Sequence, residues 1–382
     1  MKASSFLAAM SAFSALPRAS AFSLCPAVGM QGASWSLQIF STQNFVSKTK
    51  LAVATSGWDF TDQEEESTFE SSAVNPLLKS YEYDGWNLKY QFKPASKGFE
   101  KESPILLVHP VGIGMSSWFW EKMMNSWNGP ALVAVDLIGC GIKHGADAWD
   151  PNERDLSVPL GWVKACEALM QIVGAEMASS NKQSIFPFPS QGGIFGKKYS
   201  VVVQGGLAPV GVLLAARNPE TVQKLVLTSP PVWKEMTTGV PEKELQKNYE
   251  FLSSPIFGPL AFGLLESQWA VRFFSNLFLF SEPCDEQWLK EVENEACSDA
   301  RPPVQVFNAG FCIHRSFEEE LRTLPQPTLI LQGADDEARI PDRASYSNTM
   351  QHCTLQVMEG KNVLPWENPK KVGQAIQNFL KG

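Results

Sequence analysis

Charge and histidine are scarce in this chain: 19% of its 382 residues are charged and only four are histidine. The sequence pI is about 5.2, and no basic stretch with interleaved aromatics occurs, so nucleic acid is not an expected partner. The seven cysteines (Cys25, Cys140, Cys166, Cys284, Cys297, Cys312 and Cys353) are scattered and never form a CxxC pair. An odd, dispersed set argues against a disulfide framework or a zinc site and leaves buried reduced thiols as the reading. No metal and no cofactor are expected. Beyond the amino terminus no uninterrupted apolar run reaches the length that spans a bilayer, so no transmembrane helix is expected. Acidic residues are missing from the first 58 positions, Asp59 being the first.

That acid-free segment carries Lys2, Arg18, Lys48 and Lys50. An apolar stretch from Ser4 to Ala15 follows a single lysine and leads to Ala19-Ser20-Ala21-Phe22, where small residues precede a cleavage point as signal peptidase requires. The Ser-, Thr- and Ala-rich continuation has the composition of a transit peptide. The arrangement resembles the two-part presequence of algae with complex plastids, which implies a signal peptide over 1–21, a transit peptide over 22–58 and delivery to the chloroplast. A secreted protein is the alternative, and it leaves the acid-free stretch unexplained. Without the four cations, 28 basic residues face 40 acidic ones, a net of −12.

Residues 59–79 are acidic and aperiodic and read as a linker. The segment 80–92 alternates around Asp84-Gly85 as a hairpin does. Continuous apolar runs at 105–110, 131–141, 199–206, 222–231, 328–336 and 354–360 have the character of buried parallel strands. Val163, Cys166, Met170, Val173 and Met177 fall at helical spacing. Strands alternating with helices predict an α/β fold with right-handed crossovers and a mostly parallel sheet covered on both faces. Two segments break the rhythm: a surface excursion at 180–198, and residues 232–324, predicted to be a helical cap inserted between the core parts 80–231 and 325–382.

The runs HPVGIG (109–114), DLIGCG (136–141) and VVVQGGLAPVGVLLAARNPETVQKLVL (201–227) together resemble the α/β-hydrolase superfamily over about residues 80–382. In that family a nucleophile stands on a tight strand-to-helix turn of the pattern G-x-S-x-G. Anchoring on Ala215 and Pro219 and counting back fourteen residues puts this position at Gly205, with Val203 and Leu207 replacing the flanking glycines. The family's acid aligns with Asp336 in GADD, and its histidine aligns with Asn362 in NVLPWENP, through Glu367 and Pro369. Of the three triad-equivalent positions only Asp336 therefore keeps the expected side chain. Glycine has no nucleophilic atom, and an asparagine amide does not take a proton near neutral pH. Loss of such a unit removes roughly 10⁶ of turnover and leaves roughly 10³ to 10⁴ from binding and the oxyanion hole. No Ser or Cys occurs within VVVQGGLAPVG, so shifting the frame does not restore a nucleophile.

The resemblance implies that the amides of Gly206 and Val111 face each other at a helix start, where they can polarise or hold a carbonyl or carboxylate. Gln204 and His109 flank that site. His109 is expected to brace its loop, His352 to be exposed, and His314 to serve the cap or face the pocket; His144 lies in a loop with no assigned role. Asp336 is a candidate water-activating base, against the simpler reading of Asp335, Asp336 and Glu337 as a solvated turn. The cap segment 249–280 is dense in Phe, Leu and Trp. It suits a packed cap core, a pocket for a lipid, isoprenoid or pigment-like ligand, or an apolar patch for a protein or a membrane surface. Two functional expectations result: a plastid α/β-hydrolase-fold protein that binds an apolar ligand or a protein partner without hydrolysing it, or an enzyme of atypical chemistry. The atypical chemistry would be lyase- or isomerase-like, or hydrolysis of a lipid-like ester.

Overall fold

A computed structural model describes residues 77–180 and 197–382. The expected signal peptide and transit peptide, the linker as far as residue 76, and residues 181–196 of the surface excursion lie outside the described residues. The sheet begins at Leu77, three residues before the core was expected to start. Strand β1 (Leu77–Tyr83) pairs antiparallel with β2 (Trp86–Lys93). Asp84 and Gly85 join them with φ of 48° and 73°, the two left-handed residues that a tight hairpin turn demands.

Six further strands follow: β3 (Ile105–Val108), β4 (Leu132–Val135), β5 (Tyr199–Gln204), β6 (Val222–Thr228), β7 (Thr328–Gly333) and β8 (Cys353–Met358). The order across the sheet is β1-β2-β4-β3-β5-β6-β7-β8. The β1–β2 and β2–β4 pairs are antiparallel and the rest are parallel. Every residue of β3, β4, β5 and β7 is buried, as their unbroken apolar runs require of strands covered on both faces. β8 alternates between partly buried and exposed residues, as an edge strand does.

Helices α1 (Glu121–Ser126), α2 (Leu160–Ser180) and α3 (Ala208–Arg217) cover the first half of the sheet. Seven helices stand between β6 and β7: α4 (Trp233–Thr238), α5 (Glu242–Leu252), α6 (Phe257–Leu265), α7 (Gln268–Phe274), α8 (Glu286–Glu295), α9 (Arg301–Ala309) and α10 (Glu318–Thr323). α11 (Ile340–Thr349), α12 (Leu364–Glu367) and α13 (Pro369–Lys381) complete the chain. One face of the sheet packs against α2, α3 and α11 through residues such as Val163, Leu214 and Tyr346. The other packs against α1, α8 and α13 through Met124, Trp288 and Ile376. Among the described residues no helix is long and apolar enough to cross a membrane. The six described cysteines are all free thiols, and burial pushes the Cys166 thiol up to about 12.

Candidate functional site

Because β3 and β5 are parallel neighbours with Val108 opposite Val203, the chain segments leaving their carboxyl ends emerge side by side. One begins at His109 and the other at Gly205. In open α/β sheets that edge is where ligands bind. Gly205 is the first residue past β5, opening a short turn (Gly205–Leu207) that runs into α3. Its φ is +65°, a left-handed backbone that glycine adopts without penalty. A Cβ placed on it would have no heavy atom within 4 Å. The sequence therefore puts its most permissive residue at the sharpest bend of the crest, and that bend faces open space.

Gly206 is different. A Cβ there would lie 2.3 Å from Cζ of Phe307 on α9, so the ring rests on the peptide. On the same helix, Pro303 Cγ stands 2.7 Å from where a Cβ of Gly139 would be. Gly139 belongs to the loop after β4, so α9 lies across the turns that leave β4 and β5. Val111 and Gly206 are both partly buried; Gly205 and Leu207 on either side of Gly206 are buried, whereas Pro110, Gly112 and Ile113 around Val111 are partly buried as well.

Gln204 and His109, expected beside the site, with His109 bracing its loop, both hydrogen-bond to the surrounding frame. The Gln204 carboxamide accepts a hydrogen bond from Thr228 Oγ1 (2.6 Å) and donates one to the Asn362 carbonyl (2.9 Å). The Leu137 amide donates to His109 Nε2 at 3.3 Å, and Nδ1 is 2.8 Å from the Pro110 carbonyl. One neutral tautomer satisfies both contacts, and burial holds the ring below the usual histidine range. His109 is a brace for its loop.

Asn362 is fixed through its backbone. Its amide donates to the Leu279 carbonyl at 3.0 Å while its own carbonyl receives Gln204. The neighbouring Lys361 ammonium donates to the Leu277 carbonyl at 2.7 Å, and the Ser281 amide donates to Glu367. The loop at 361–367 is thus zipped to the cap segment 277–281. Trp366, Trp118 and Trp288 seal the junction edge-to-face, with ring centres 5.1 to 5.4 Å apart.

Asp336 is engaged by arginine. It sits 8% exposed just after β7, and its Oδ2 accepts from Arg343 Nη1 at 2.9 Å with Arg339 Nη1 at 3.5 Å. The Arg343 side chain is fully buried and also donates to the Pro230 carbonyl at 2.7 Å. Oδ2 is thus engaged by two guanidinium groups, which makes that oxygen a poor candidate for activating water. The adjacent Asp335 binds the Ser281 hydroxyl at 2.7 Å.

Sequence reasoning missed a second charged assembly. Buried Asp136 accepts from the Ser117 amide (2.6 Å) and lies 3.0 Å from Nδ1 of His144, whose Nε2 faces Glu295 of α8 at 3.5 Å. Burial opposes a charge on His144, but the hydrogen bond and negative charges of Asp136 and Glu295 override it and raise the imidazole to about 9. Burial raises the Glu295 carboxyl. His144 and Glu295 are 151 positions apart, a separation at which nothing in the sequence signals their contact. Elsewhere His314 caps its own turn against the Phe311 carbonyl. Among the described residues no group of three or more His, Cys, Asp and Glu could hold a metal ion.

The profile of the alpha/beta hydrolase family matches residues 105–375. No curated protein matches the chain. Similar solved structures include a thermophilic esterase from Thermogutta terrifontis, 15% identical with a TM-score of 0.55, covering 81% of this chain and 98% of that one. A meta-cleavage product hydrolase from Pseudomonas fluorescens IP01 is 17% identical with a TM-score of 0.56, covering 79% and 97%. A haloalkane dehalogenase from Bradyrhizobium elkanii is 16% identical with a TM-score of 0.56, covering 81% and 98%. At these identities the likeness is one of fold.

Proposed function

This chain belongs to the alpha/beta hydrolase family, and from that premise we propose that it is a non-hydrolytic member, delivered to a plastid, that binds an apolar molecule or a protein partner. The observation that carries the reading is Gly205: a left-handed glycine at the strand-to-helix bend, with room for a side chain and none present. A covalent mechanism needs an attacking atom at such a crest, activated by a neighbouring base. Asn362 supplies no such base, and Asp336 is committed to Arg343. The similar esterase, meta-cleavage product hydrolase and dehalogenase lend the fold to this reading and nothing of their chemistry.

The apolar class of ligand is supported by what surrounds the crest. Phe307 covers Gly206. The amides of Val111 and Gly206 give such a ligand one polar anchor, a carbonyl or carboxylate held at the start of the turn into α3.

A fluorophosphonate probe tests the reading directly. The intact protein is expected to remain unlabelled when an active serine hydrolase in the same tube is labelled to completion. A stable phosphonyl adduct on any residue of this chain would refute it. Native mass spectrometry of protein isolated from its own plastid then identifies what co-purifies, and an apolar small molecule or a second polypeptide is the expected result.

A further inference from the structure

Nine large apolar residues are highly exposed among the described residues, and six of them fall within one stretch of the cap: Ile256, Phe257, Leu260, Trp269, Phe273 and Leu277. Ile256 and Leu260 are 74% and 67% exposed. The six follow helical spacing. Ile256 and Leu260 share one side of α6 and the residue before it, and Trp269, Phe273 and Leu277 recur every four residues along α7 and the turn after it. Trp269 and Phe273 stack with ring centres 5.5 Å apart. Scattered exposed apolar residues need no explanation, but six within 22 positions of one segment, Ile256 to Leu277, do.

The charge pattern decides what covers it. From 253 to 280 the chain has two charged residues, Glu266 and Arg272. Glu266 is held by Arg301 at 2.6 and 2.7 Å, and Arg272 by Glu286 at 2.8 and 3.0 Å. The patch thus shows aromatic and aliphatic groups with no uncompensated charge. A protein interface of useful size carries a polar rim around its apolar core, and within 253–280 the only charged groups are Glu266 and Arg272, both already paired. Aromatic and leucine side chains on one face of short helices are what a bilayer interface accepts. The net charge of −8 would be repelled by anionic headgroups.

We infer that the α6–α7 face of the cap docks on the surface of a neutral-headgroup lipid bilayer, seating Ile256, Leu260, Trp269 and Phe273 at the acyl boundary. The docking stands apart from whether the site beneath the cap turns over any substrate.

Flotation of the full chain with phosphatidylcholine vesicles tests this. The chain is expected to float with the vesicles, and Leu260→Asp with Phe273→Asp is expected to lower the partition coefficient at least about tenfold, since moving even one large apolar side chain from water is worth that much. Both positions are exposed, so the variant should keep the parent's circular dichroism, and it retains the amino-terminal segment that could itself bind lipid. Flotation unchanged in the double variant would overturn the inference, as would binding confined to anionic vesicles. A dimer in sedimentation velocity that this variant dissolves, with no flotation of the parent, would assign the face to a second copy and overturn it equally.

Discussion

Replacing Gly205 by serine puts a side chain where the fold has room for one. The cost is conformational: a residue with a Cβ held at φ +65° loses roughly 1 to 2 kcal/mol relative to glycine. No steric charge is added, because no heavy atom lies within 4 Å of the new Cβ. Thermal denaturation is the assay, and Gly205→Ser is expected to lower Tm by about 2 to 8 °C while leaving the transition cooperative. The new hydroxyl alone should stay inert to fluorophosphonate, since Asn362 cannot take its proton. Adding Asn362→His supplies a base but no acid to orient it, because Asp336 remains bound to Arg343. An acid in that role is worth roughly 10⁴ in turnover, so the double variant should hydrolyse a p-nitrophenyl ester weakly and stop well short of an intact triad. Two results would refute the reasoning. A loss of more than about 4 kcal/mol in Gly205→Ser would mean the turn has no open space, and rapid esterase turnover in the double variant would mean the Asp336 carboxylate is available after all.

Gly333→Ala should be far more damaging than Gly205→Ser, because its Cβ would meet the backbone carbonyls of Lys361 and Gly360 at 2.1 and 2.3 Å; urea denaturation should register a loss above about 3 kcal/mol or no folded protein. Arg343→Met leaves buried Asp336 with only the more distant Arg339 at 3.5 Å and should cost about 3 kcal/mol, most of it restored when Asp336→Asn is added. His144 gives a pH signature. Its folded pKa of about 9 lies above the ordinary value near 6.5, so its contribution is fully present below about pH 6.5 and is lost as pH rises through about 9. Allowing for its partial exposure, that contribution is about 2 kcal/mol. Tm measured from pH 6 to 10 should fall on the alkaline side, and His144→Gln should flatten that limb; an unchanged slope would remove His144 from the account.

Much of the frame was readable from residue order. Asp84-Gly85 announced a two-residue hairpin, and the valine- and leucine-rich runs announced strands buried on both faces. Gly205 could be placed by counting back from Pro219 along the spacing that the family resemblance implies. What could not be read depends on side chains meeting across long loops. Asp336 appeared available because its neighbours in sequence are acidic, whereas its partner is two helical turns away on α11. A signal for it did exist: Arg343, Tyr346 and Met350 recur at helical spacing and are all buried, and an arginine on such a stripe requires an anion inside. Phe307 over Gly206, and Glu295 beside His144, join the cap to the core at separations where periodicity carries no information. The cap sequence itself left three uses open, and exposure separates them: Phe262 and Leu265 pack inward, whereas Ile256, Leu260 and Trp269 do not.

The zipping of 361–367 onto 277–281 has a mechanical result. A cap that swung away from the sheet would drag residue 362 with it through the Leu279 and Leu277 carbonyls, and would strip the Asn362 carbonyl from Gln204. The cap and the loop after β8 therefore move together or not at all, and any displacement of the one is felt at the end of β5.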